Sequence, residues 1–106
     1  MKMKLVFGVL LFSGLALKVN AQNTIPKDIQ PLLQKYTCTA CHTVDKRLVG
    51  PSFRDIRKKN YKPEKIVDLI YAPQPKNWPG YPPMAPMKNV PKPEALKIAR
   101  WITTLK

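Results

Sequence analysis

The sequence predicts an all-α domain of three to four short helices, on three observations. Apolar residues recur at spacings of three and four in four separate segments. Between the third and fourth of these, residues 72–93 hold eight prolines, each of which lacks a donor and fixes φ, so that stretch is neither helix nor sheet. The only two cysteines and the only histidine of the mature part stand together as Cys38-Thr39-Ala40-Cys41-His42.

That pentapeptide is the attachment pattern of a c-type haem. Two cysteines three apart reach the two vinyl groups of one porphyrin and form thioethers. The histidine directly after the second cysteine then lies under the metal and supplies an axial nitrogen. Competing uses of the pattern fit less well. A redox dithiol expects a βαβ context, whereas these segments are helical and Pro-rich. Structural zinc takes four Cys/His ligands, and only three exist. Two free thiols in a short exported chain would tend to oxidise. The helices are therefore expected to wrap around one covalent haem.

The first twenty-one residues read as an address. Met1-Lys2-Met3-Lys4 is a positive start, Leu5 to Leu17 an apolar run, and Val19-Asn20-Ala21 a small-residue cleavage site. The run is shorter than the ~20 apolar residues a spanning helix needs. Cleavage after Ala21 predicts a signal peptide over 1–21 and one exported, periplasmic domain over 22–106, with no stable membrane insertion. The 85 residues left from 106 make a domain that is marginal alone, and a haem adds a large apolar body to pack on. Without Lys2, Lys4 and Lys18, sixteen basic residues face six acidic ones, a formal +10. Such a charge steers association with acidic partners. Nucleic acid is the usual partner of a basic chain, but one exported haem domain argues against it.

The elements follow in order. Asp28 is placed to cap a first helix, with Pro31 in its first turn and Ile29, Leu32, Leu33 and Tyr36 on one face; the helix is expected to run straight into Cys38. Gly50-Pro51 is a turn signal, and the Pro51 carbonyl is a candidate acceptor for the second ring N–H of His42. Ser52 can cap a short helix with Phe53 and Ile56 inward; Arg54, Arg57, Lys58 and Lys59 read with Lys62 and Lys65 as a solvated basic face. Pro63 and Glu64 suit the first turn of a third helix, which Pro73 ends. The Pro-rich stretch that follows carries Trp78, Tyr81, Met84, Met87 and Val90. A stiff strap of this kind can hold a weak metal–thioether bond, and Met84 and Met87 compete for it on sequence alone. Pro93 and Glu94 open the last helix. It is expected to cross the first, with Trp101 in the contact.

Residues 28–106 resemble the short, single-domain bacterial class I cytochromes c. The order carries the likeness: a helix, the Cys38–His42 motif, Val49-Gly50-Pro51, Trp78, Pro83-Met84-Ala85-Pro86 with Val90, and a final Ala99-Arg100-Trp101-Ile102 helix. The resemblance implies a small cytochrome c fold with a Pro-rich ligand loop and His42 and Met84 as axial metal ligands. It implies that Pro51 accepts from His42 and that the Trp78 indole bonds a haem propionate. Two departures are the paired methionines and Pro91, where the family has a Ser-type cap. A His/Met iron has no open site for substrate. The implied function is thus a soluble, monomeric one-electron carrier between respiratory redox proteins, and not an enzyme. Its partners would be acidic proteins such as a terminal oxidase, reductase or dehydrogenase. The alternatives are a fixed subunit of a respiratory complex, or a haem sensor or catalyst with an open sixth position.

Overall fold

A computed structural model describes residues 24–106, together with Gly8 and Gly14. The expected signal peptide lies outside the described residues, apart from those two glycines. Four α-helices follow one another: α1 (Gln30–Lys35), α2 (Phe53–Lys58), α3 (Pro63–Tyr71) and α4 (Lys92–Thr104). Two short 3-10 turns, Cys38–Ala40 and Pro75–Asn77, interrupt the connections. Among the described residues there is no strand, and no helix is long and apolar enough to cross a membrane.

The prolines act where their missing N–H is free of cost. Pro31, Pro63 and Pro93 each fall in the first turn of a helix. Ser52 caps α2, its hydroxyl accepting the Asp55 N–H at 3.0 Å. The serine is buried, so no water can replace it. Ser52→Ala is expected to cost about 1 kcal/mol, read as a lower urea midpoint of the haem-loaded protein. Asn60, at φ 56, terminates α2 in the left-handed region.

Two local expectations are corrected. Asp28 does not cap α1: the Pro26 carbonyl takes the first free donors, from Ile29 and Gln30, both at 3.0 Å. Asp28 instead pairs with Lys97 of α4 at 3.3 Å. Nor does α1 run straight into the attachment motif. Thr37 takes φ 57 and turns the chain, which a β-branched residue rarely does. Its hydroxyl donates to the Tyr36 carbonyl at 2.7 Å. Trp101 of α4 also packs edge-on against Phe53 of α2, at 5.1 Å. The polar links between α1 and α4 are Tyr36 OH to the Glu94 carboxylate and Asp28 to Lys97.

The core gathers one face of every helix. Leu33 of α1, Phe53 of α2, Ile66 and Val67 of α3, and Ala95, Ile98, Ala99 and Ile102 of α4 are all buried. Packing them leaves a cavity between the motif segment and the Pro-rich loop.

Candidate functional site

The attachment motif is bent by its own backbone. The Cys38 carbonyl accepts from both Cys41 N–H (3.2 Å) and His42 N–H (3.0 Å). This tight turn presents both thiols and the imidazole to the same cavity, whose volume is about 420 Å³ and whose lining is apolar. That is a usual size for a cofactor site. Both cysteines are free thiols and half-buried. Burial pushes the Cys38 thiol up, with a smaller rise from Cys41 against a lowering backbone hydrogen bond.

His42 is fixed from two sides. Its Nδ1 lies 2.7 Å from the Pro51 carbonyl oxygen. A carbonyl can only accept, so Nδ1 carries the proton and Nε2 keeps its lone pair. Burial holds the imidazole below its ordinary basicity, with the Pro51 bond opposing in part. The neutral, ligating form is thereby favoured. Phe53 packs on the ring, tilted, at 5.4 Å between centroids.

The other side of the ring meets backbone. A Cβ on Gly50 would fall 2.5 Å from His42 Cε1 and 2.9 Å from Nδ1. Gly50 is buried, and its N–H donates to the Cys41 carbonyl at 2.8 Å. Sequence reasoning took Gly50 only as a turn. Its φ is not left-handed, so the glycine is required for close approach and not for conformation.

The Pro-rich loop supplies the remaining wall. Trp78, Met84 and Met87 all line the cavity, as do Cys38, Cys41, His42 and Pro51. The candidate haem-site residues are therefore brought to one place. The two methionines differ in setting. Met84 is 39% exposed. Met87 packs against the hydrophobic core, and its N–H donates to the Ile70 carbonyl at 2.9 Å. The 3-10 turn Pro75–Asn77 gives the start of the loop a regular shape that its prolines had not suggested.

Sequence reasoning also missed two cations at this loop. Arg47 donates from Nη2 to the Gly80 carbonyl at 2.6 Å and lies 3.9 Å from the Tyr81 ring. Lys59 donates to the Asn77 carbonyl at 3.2 Å and lies 4.6 Å from the Trp78 ring. Lys59 thus does not belong to a simple solvated face. Others in that run are engaged too: Arg54 pairs with Asp45 at 2.8 Å and Lys58 with Asp55 at 3.4 Å.

The donor set fits a covalently held haem: two thiols on one turn, an imidazole with a committed Nδ1 and a free Nε2, and a thioether from another loop, all around an apolar space. Comparison with known proteins points the same way. No protein-family model matches the chain. It is 41% identical over 82 residues to cytochrome c-551 of Pseudomonas denitrificans, covering 73% of this chain and 96% of that protein. It is 38% identical over 80 residues to cytochrome c-552 of Nitrosomonas europaea, covering 71% and 76%. Among solved structures it is similar to crystalline wild-type Nitrosomonas europaea cytochrome c552, with a TM-score of 0.65 at 36% identity, over 72% of this chain and 98% of that one.

Proposed function

The chain belongs to the family of small bacterial monohaem cytochromes c-551 and c-552, and from that premise we propose that it carries single electrons between respiratory redox proteins, in which Cys38 and Cys41 would attach the haem and His42 and Met84 would hold its iron. One observation carries the reading: thiols, imidazole and thioether converge on one apolar cavity. When bound, the haem supplies an iron that gains or loses one electron.

The chain's own residues do the rest. Pro51 and Gly50 set the His42 ring, one by a hydrogen bond and one by contact. A fixed ligand changes little between the two oxidation states, which keeps the reorganisation small. Met84 brings a soft thioether, which beside histidine raises the potential. Phe53, Ile98 and Ile102 line the cavity and exclude water from it. The Trp78 indole N–H is suited to hold a propionate. With His42 and Met84 both holding the iron, no position would be left for substrate, which is why a carrier is favoured over an enzyme.

The 1–21 segment, read as a cleaved signal peptide, would deliver the domain to the periplasm. There its formal +10 favours an acidic partner. Raising ionic strength from about 10 to 200 mM is expected to slow electron transfer with that partner by roughly tenfold or more, since exposed charges are screened over ~10 Å at 0.1 M. Stopped-flow kinetics against salt measure this, and a flat profile would mean that the basic surface does not steer docking.

The reading as a whole is tested by optical spectra of the oxidised and reduced protein. A low-spin spectrum with the weak near-infrared iron–thioether band is expected, with haem retained after acid–organic extraction. A high-spin spectrum, with carbon monoxide bound by the untreated reduced protein, would overturn it in favour of a sensor or catalyst.

A further inference from the structure

Arg47 and Lys59 hold the Pro-rich loop in the same two-point way. Each donates to a backbone carbonyl and lies over the aromatic ring of the next residue: Lys59 on Asn77 and Trp78, Arg47 on Gly80 and Tyr81. The two rings meet edge-on at 5.8 Å. Gly80, at φ 86, makes the bend that sets its carbonyl beside the Tyr81 ring. The four groups form one continuous row: ammonium, indole, phenol, guanidinium.

The row joins two parts of the site. Arg47 lies in the segment between His42 and Pro51, which is bonded around the imidazole through Gly50 N–H to Cys41 and Leu48 N–H to Gly50. Lys59 is the C-cap of α2, next along the chain. Residues 77–81 lead directly into Met84. The bonds that tie this loop to α3 lie beyond the methionine: Met87 N–H to Ile70, and Tyr71 OH to Val90 at 2.7 Å. Ahead of Met84, the two cations hold 77–81 through their side chains.

We propose that Arg47 and Lys59 are positioning residues, which clamp residues 77–81 to the attachment side of the cavity and set how readily the loop lifts Met84 away from its ligating position. This rests on Met84 being the sixth ligand. Both cations are exposed, where an ion pair alone contributes little. A cation that meets a carbonyl and a ring face together loses both when the loop rises. Lifting is a local opening of the kind that surface loops undergo. An external ligand binds only the lifted form, so its apparent affinity scales with the lifted fraction.

The test uses the oxidised, haem-loaded protein, titrated with imidazole while the near-infrared iron–thioether band is followed. Arg47→Leu and Lys59→Met are each expected to bind imidazole roughly three- to tenfold more tightly than the parent. Arg47→Lys keeps the charge but not the planar guanidinium, and should fall between. Lys35, on α1, lies 5.3 Å from the Tyr36 ring. Lys35→Met removes the same charge and should leave the affinity unchanged. Affinities within twofold of the parent for both Arg47→Leu and Lys59→Met would overturn the clamp, as would an equal gain in Lys35→Met. A parent protein without the band removes the Met84 reading and the clamp together. A parent with the band and unresponsive variants removes the clamp alone.

Discussion

Met84→Ala is expected to lower the reduction potential of the haem-loaded protein by about 0.1 V or more, part of the ~0.8 V that axial ligation spans among haem proteins. The near-infrared band should vanish, and the reduced protein should bind carbon monoxide. The cause is the loss of a soft thioether, which with histidine favours the reduced metal. Met87→Ala should leave the potential and the near-infrared band nearly unchanged, and the iron closed to carbon monoxide. Met87 packs on the core and its backbone is pinned to Ile70. Its truncation should therefore cost about 1–2 kcal/mol in urea, less than the fully buried case, with the potential nearly unmoved. Met84, at 39% exposure, has less packing to lose. Cyclic voltammetry and urea melts on both variants separate ligand from filler. An exchanged pattern would move the ligand assignment to Met87.

What was legible in the sequence is what depends on neighbours along the chain. The Cys38–His42 spacing, the Ser52 cap and the first-turn prolines are all satisfied within a few residues, and each appears where the pattern put it. The failures are non-local. Asp28 reads as a cap because capping is the local use of an aspartate, yet Lys97 of α4 is its partner and Pro26 fills the role. Thr37 carries no left-handed signal, since a glycine or asparagine would be expected there. Arg47 meets Gly80 thirty-three residues on, and Lys59 meets Asn77 eighteen on. A run of cations looks solvated until the fold brings rings and carbonyls to it. The choice between Met84 and Met87 was closed in sequence only by family likeness.

Gly50→Ala should be the most damaging single methyl in the domain. The added Cβ would stand 2.5 Å from His42 Cε1, closer than any real contact allows. Either the ring tilts off the Pro51 carbonyl, or the Gly50–Cys41 hydrogen bond opens. Neither neighbour is a floppy side-chain end, since Phe53 packs on the ring as well. Overpacking of this kind costs about 1–3 kcal/mol, and the upper end is expected here. A displaced imidazole also loses the hydrogen bond that raises its ligand strength, so the potential should shift as well. Gly80→Ala is the matched comparison. Gly80 has φ 86 but no atom within 4 Å of a built Cβ. It should cost only the left-handed strain, about 1–2 kcal/mol, and leave the His42 environment unchanged. Urea midpoints and potentials of the two variants distinguish a glycine needed for space from one needed for its backbone angle. Equal destabilisation with an unmoved potential in Gly50→Ala would mean that the ring does not rest on residue 50.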